Sequence, residues 1–137
     1  MRLIINTNRI IAALIKDSVS REIFLHLDAE LITINFSNKE IDKYKALILK
    51  KARITELEFN ILLEKLKQKL ILLDDRIILA KMEEAGKIMD RIDQDDTPFI
   101  AAALATGSDI WSDDTHFEKQ KKIKVWKTKD LAGLMKK

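Results

Sequence analysis

Short apolar runs alternate along this chain with longer stretches whose apolar residues recur at helical spacing. Leu3-Ile4-Ile5 is unbroken and stops at Asn6, which predicts a short strand over 2–5, buried on both faces. Residues 9–15 are apolar but Ala-rich and predict a helix opening at Thr7 or Asn8. A second helix is expected from Ser18 or Ser20 to Leu27, and a strand over 31–34. Ser37-Asn38-Lys39-Glu40 has the form of a capping box ahead of apolar residues at 41, 44, 47 and 48. Thr55 and Glu58 form a second box, ahead of apolar residues at 57, 59, 61, 62, 63 and 66. The block 37–68 reads as two adjacent helices inserted between strands. Leu70–Leu73 predicts a third strand, and 79–89 a helix weakened by Gly86. Thr97-Pro98 starts a helix, with proline where its missing N–H costs nothing; it runs to Thr106 and stops at Gly107. Ile110-Trp111 and Ile123–Trp126 supply the fourth and fifth strands, and Thr128 caps a last short helix.

Strands alternating with helices predict an α/β fold: three layers, α/β/α, around a parallel sheet of about five strands. At 137 residues the size prior gives one domain, spanning 1–137. Hydrophobic residues are 47% and charged residues 34% of the chain, a globular composition. Cysteine is absent, which excludes disulfides, thiolate metal sites and cysteine nucleophiles and agrees with a cytoplasmic setting. The first apolar run is too short for a signal peptide or a membrane span. Net charge is +3 and the pI about 9.0, compatible with a polyanionic partner. Lysines gather at 43, 45, 50 and 51, at 119, 121, 122 and 124, and at 127, 129, 136 and 137; solvated faces account for such clusters equally well.

The chain has no Gly-rich phosphate loop, no nucleophile elbow and no His-Glu-x-x-His helix. What it has is carboxylates at strand ends and helix starts. Asn6-Thr7-Asn8 follows the first strand and Ser112-Asp113-Asp114 the fourth; Glu40 and the cluster Asp93-Gln94-Asp95-Asp96 lie between. Polar groups just past the carboxyl ends of strands are where open α/β sheets bind ligands. Converging carboxylates there would hold Mg²⁺ or Mn²⁺, and such a cation polarises phosphoryl oxygens and activates water near neutral pH. Each residue also has a purely structural reading. Glu40 bonds back to its helix start, Asp96 caps a helix, Asp93 is a solvated turn residue, Asp113 and Asp114 are loop residues, and Asn6 and Asn8 form Asx-turns. His26 falls in a helical pattern, as a surface or packing residue. His116 follows the acidic pair and could lie near the same place.

On these residues the chain resembles the PIN-domain nucleases. Ile4-Ile5-Asn6-Thr7-Asn8 is similar to that family's opening, in which two apolar residues precede Asp-Thr-Asn. Asp93-Gln94-Asp95-Asp96, followed by Phe99-Ile100-Ala101-Ala102-Ala103, resembles its Asp-x-x-Asp and Ala-rich helix; Ser112-Asp113-Asp114 resembles its Thr-x-Asp. Glu40 stands at the expected helix start after the second strand. The resemblance implies a PIN-like fold in which Asn6, Glu40, Asp96 and Asp114 are the catalytic and metal-binding positions, around Mg²⁺ or Mn²⁺. It further implies a supporting metal role for Asp93, ligand orientation by Asn8 and Ser112 through hydrogen bonds, and an RNA-backbone contact at Arg9.

Position 6 departs from the family pattern. Asn brings no negative charge and cannot act as a base, yet it has nearly the shape of Asp. The site loses one unit of the charge that holds a cation. A substitution that silences a toxic nuclease would account for it, and so would a natural member with weakened activity. The resemblance thus implies a metal-dependent endoribonuclease, weakened or inactive through Asn6. Small members of the family are often toxins of toxin–antitoxin pairs, which implies an RNA substrate, an antitoxin protein partner and a homodimer, with no membrane. Two rivals stand beside it: a degenerate RNA- or protein-binding module, and a receiver-like phospho-acceptor domain. The latter is disfavoured because the first strand ends in Asn6 rather than paired acids.

Overall fold

The chain's computed structural model describes residues 1–15 and 18–135; Lys136 and Lys137 of the third lysine cluster lie outside them. Strands β1 (Arg2–Ile5), β2 (Glu30–Thr33), β3 (Leu70–Leu72), β4 (Asp109–Trp111) and β5 (Val125–Trp126) form one sheet. Their order is β3-β2-β1-β4-β5, and every pairing is parallel. The period-2 alternation of the strands divides the core. Leu3, Ile5, Leu31 and Trp111 point into one hydrophobic cluster, while Ile4, Ile32 and Ile110 point into the other. Burial on both faces explains why these strands read as continuous apolar runs.

Helices α1 (Thr7–Ile15), α2 (Ser18–His26), α3 (Asn35–Lys43), α4 (Lys45–Ala52), α5 (Glu56–Lys67) and α9 (Thr128–Leu134) belong to the first face. The second is covered by α6 (Asp75–Leu79), α7 (Met82–Met89) and α8 (Thr97–Thr106). Leu14, Ile23, Ile41, Ile48, Phe59 and Leu131 seal the one side; Ile78, Met89, Phe99 and Ile100 seal the other. The three-layer α/β/α architecture with a five-stranded parallel sheet is therefore the observed one.

Several local expectations are corrected. The block 37–68 holds three helices, because the chain turns at Tyr44 (φ −98°, ψ 9°) between α3 and α4. Arg53 then closes α4 in the left-handed region, at φ 56°. The capping box at Thr55 and Glu58 is present and opens α5. The one expected at Ser37 and Glu40 is not: α3 begins two residues earlier, at Asn35, with Ile34 as its uncapped N-cap. Asp74 caps an extra short helix, α6, so the expected 79–89 helix is split before Met82. Gly86 sits inside α7, where a Cβ would meet Asp90 Oδ2 at 2.8 Å. The glycine makes room for a carboxylate that accepts the Thr97 hydroxyl at 2.6 Å, at the start of α8.

Sheet order positions the site. From β1 the chain moves outward to β2 and β3, then returns to place β4 on the opposite side of β1. The carboxyl ends of β1 and β4 thus flank the topological switch point, where α/β sheets open a crevice. Ile5 pairs with Trp111, and the Asn6 N–H donates to the Trp111 carbonyl at 3.1 Å. Asn6 and Ser112 therefore leave the sheet side by side.

Candidate metal centre

Asn6 is buried, and both ends of its amide are engaged. Its Oδ1 accepts the Asn8 backbone N–H at 3.0 Å, an Asx-turn that starts α1. Its Nδ2 donates to Ser112 Oγ at 3.0 Å. Ser112 Oγ also accepts the Asp114 N–H at 3.0 Å, so one buried hydroxyl ties the end of β1 to the loop after β4. Asp114 Oδ1 accepts the His116 N–H at 2.9 Å and caps a 3₁₀ turn over Thr115–Lys119. Phe117 anchors that turn, fully buried and edge-on to Phe99 with centroids 6.3 Å apart.

Cap and anchor together hold the His116 ring over the acidic loop before α8. Its Nδ1 lies 3.0 Å from Asp93 Oδ2, 3.5 Å from Asp96 Oδ2 and 3.5 Å from Asp114 Oδ1. Asp93 accepts the Asp95 N–H at 3.0 Å through Oδ1, which leaves Oδ2 to face the histidine. Asp96 is the residue before α8, yet its side chain makes no capping bond. Among the described residues, neither its buried Oδ2 nor His116 Nδ1 has a hydrogen-bond partner. The helix-cap reading of Asp96 is therefore corrected: the carboxylate turns away from the helix start and into the cluster.

Glu40 is placed by a different device. The Thr7 hydroxyl, at the first residue of α1, donates to Glu40 Oε1 at 2.6 Å. Thr7 and Ser37 hydroxyls lie 2.8 Å apart, so with its proton on Glu40, Thr7 accepts from Ser37. The residue expected to cap α3 instead supports, through Thr7, the carboxylate one turn along.

The electrostatics follow from crowding. Burial pushes Asp96 up, Asp93 and Asp114 add repulsion, and His116 opposes them; the result is about 7. Burial also raises Glu40, with Asp95 and Asp93 adding to the shift and the Thr7 hydroxyl and Lys43 opposing it. Carboxylates that resist ionisation because they face one another are stabilised by a shared cation. One ligand atom each from Asp93, Asp96 and His116 lies within 4.8 Å of the others, a spread that one cation about 2.0–2.6 Å from each ligand can bridge. The buried Oδ2 of Asp96, without a hydrogen bond among the described residues, and this donor set fit a divalent ion.

Asn6, Ser112, Asp93, Asp96 and Asp114 are thus brought together; Glu40 is tied to the start of α1 by Thr7 and feels the charges of Asp95 and Asp93. Asn8 is exposed and contributes its backbone N–H rather than its side chain. Arg9 is drawn sideways: its Nη1 lies 2.9 Å from Asp113 Oδ2 and donates to Thr128 Oγ1 at 3.2 Å. Asp113 accepts the Thr128 N–H and hydroxyl, each at 2.8 Å, so it supports the start of α9. Thr128 is accordingly the first residue of α9 rather than its cap. His116 was only a neighbour candidate in the sequence; its signal was its place two residues after Asp114, within reach of that carboxylate's cap.

Clustered carboxylates at the switch point of a parallel sheet could hold a divalent cation. The sequence matches the PIN domain family over residues 4–135, and the chain belongs to that family. No curated protein matches it. Among solved structures the fold is similar to a chain in the crystal structure of VapBC2 from Rickettsia felis bound to a DNA fragment from their promoter. The TM-score is 0.66 at 16% identity, over 93% of this chain and 98% of that one; at that identity the likeness concerns the fold. Among the described residues no helix is long and apolar enough to cross a membrane.

Proposed function

We propose that the chain is a Mg²⁺- or Mn²⁺-dependent endoribonuclease whose activity is weakened by Asn6, and that it is the toxin of a toxin–antitoxin pair. The observation that carries the reading is the convergence of Asp93, Asp96 and Asp114 on one histidine at the carboxyl ends of β1 and β4, in a chain of the PIN domain family.

In this reading Asp96, Asp114 and Glu40 hold the cation, with Asp93 in support. When bound, a hard divalent ion makes water nucleophilic near neutral pH and offsets charge on a phosphate. The chain's own residues prepare that chemistry. Thr7 fixes the rotamer of Glu40, and Ser112 fixes the loop that carries Asp114. Asp96, held up at about 7 by burial and by Asp93 and Asp114, is the carboxyl whose charged form a bound cation would favour most. Asn6 holds the geometry of the site and withholds a charge from it. Lysines on the exposed faces would meet the RNA backbone, and Arg9 would add Nη2, since its Nη1 is held by Asp113 and Thr128 and its Nε is buried. The antitoxin partner, homodimer and cytoplasmic setting belong to the same proposal; the similar solved structure is itself a VapBC2 assembly.

The test is cleavage of single-stranded RNA by the chain and by Asn6→Asp, with Mg²⁺ or Mn²⁺ and with chelator. Cleavage that appears or rises on the substitution, and disappears with chelator, supports the nuclease. No gain in a variant that binds metal contradicts it. One observation favours a second reading, a binding module without catalysis: the Asn6 amide is satisfied at both ends, as in a site settled around asparagine. RNA affinity indifferent to chelator would support that alternative.

A further inference from the structure

We propose that His116 is a metal ligand of this centre, through Nδ1, and that the resulting nitrogen-and-oxygen set makes the site selective for Mn²⁺ over Mg²⁺. The inference rests on the metal-centre reading above and deepens it.

The argument begins with the backbone. His116 is not a loose surface ring: its own N–H is held by Asp114 Oδ1 at 2.9 Å, and the next residue, Phe117, is fully buried. The ring is 40% exposed, yet its Nδ1 is buried. That nitrogen has no hydrogen-bond partner of good geometry, although three carboxylate oxygens lie within 3.5 Å of it. A histidine held there for an ion pair alone would be expected to aim an N–H at one oxygen. Nδ1 instead sits among several, as a donor atom does around a shared centre. Asp96 Oδ2, buried and likewise without a hydrogen bond among the described residues, lies 3.5 Å from that nitrogen. One ligand atom each from Asp93, Asp96 and His116 forms a set that one cation can bridge, and Nδ1 lies within 3.5 Å of both Oδ2 atoms.

The chemistry of position 6 gives the histidine its consequence. Asn6 Nδ2 is a donor turned to Ser112 and Oδ1 already accepts the Asn8 N–H, so asparagine brings the cation no charge. The His116 imidazole supplies a coordinating atom without adding to the crowding of like charges. Mg²⁺ takes oxygen ligands and gives up water reluctantly; Mn²⁺ shares the preference for carboxylate and water but, as a first-row transition ion, exchanges a water for an imidazole nitrogen at less cost than Mg²⁺ does.

The experiment is metal titration of the whole chain by calorimetry, with pulsed EPR of the Mn²⁺-loaded protein, for the native chain, His116→Ala and Asp96→Asn. The proposal predicts ¹⁴N coupling to Mn²⁺ in the native protein and its loss in His116→Ala. It also predicts that His116→Ala weakens Mn²⁺ about tenfold or more while Mg²⁺ changes far less, so that the preference collapses. Mn²⁺ bound without nitrogen coupling, with affinity indifferent to His116→Ala but lost in Asp96→Asn, overturns the histidine assignment and leaves the acidic centre standing. Binding of neither ion by the native chain overturns both. Circular dichroism of each variant, matched to the native chain, separates loss of a ligand from loss of fold.

Discussion

Asn6 Nδ2 donates to Ser112 Oγ at 3.0 Å, a buried hydrogen bond between residues 106 positions apart. It joins the carboxyl ends of two adjacent strands, beside the bond from the Asn6 N–H to the Trp111 carbonyl. An aspartate at position 6 would keep the shape, retain the Asn8 N–H on one oxygen and accept the Ser112 proton on the other. Asn6→Asp is therefore expected to fold as the native chain does. It should bind divalent ions at least about tenfold more tightly, since charge count sets affinity at oxygen sites. Calorimetric titration of the two proteins at one ionic strength checks this.

Asp96 links stability to pH. Its carboxyl is raised from 3.8 to about 7 in the folded chain. Between those values the folded state binds more protons than the unfolded one, so metal-free stability falls as pH rises through this window and levels off above it. The raised Glu40 adds in the same direction. Asp96→Asn removes that proton linkage. In chelator at neutral pH it should melt higher than the native chain, with the difference shrinking toward about pH 4. Melting curves of both proteins across this range are the measurement; a variant less stable than the native chain throughout contradicts the account.

Thr7→Val keeps the volume of a buried side chain and deletes the hydroxyl that holds Glu40 and receives Ser37. The Ser37 hydroxyl, fully buried, is left without its acceptor. Destabilisation of about 1–3 kcal/mol is expected by chemical denaturation. Metal affinity should fall as well, because Glu40 loses its fixed rotamer.

Asp113 and Asp114 are neighbours with different work. Asp113→Ala removes two bonds to Thr128 and the partner of Arg9, so about 1–2 kcal/mol of stability should be lost with metal binding unchanged. Asp114→Asn should do the reverse, retaining the His116 N–H as a cap partner while weakening metal binding. A denaturation curve and a metal titration on each variant separate the pair.

The sheet was legible because its strands are buried on both faces, which makes Leu3-Ile4-Ile5 and Ile110-Trp111 apolar without interruption. The helix starts were less so. Ser37 and Glu40 have the spacing of a capping box, but the same spacing puts both on one face of a helix already under way, where Thr7 engages them. Only the fold brings that partner across 33 positions. Asp74 and the short helix it caps escaped notice because five residues carry too little periodicity. In the site, ordered motifs marked Asn6, Glu40, Asp96 and Asp114. What no linear pattern holds is direction: that Asp113 turns to Arg9 and Thr128, that Asp96 declines its helix, and that His116 turns Nδ1 inward.

The most direct test of the account is anomalous diffraction from crystals of the native chain soaked in MnCl₂. A manganese peak in the crevice bounded by Asp93, Asp96, Asp114 and His116 is the result predicted. Crystals that take up manganese elsewhere while that crevice stays empty at neutral pH would contradict it.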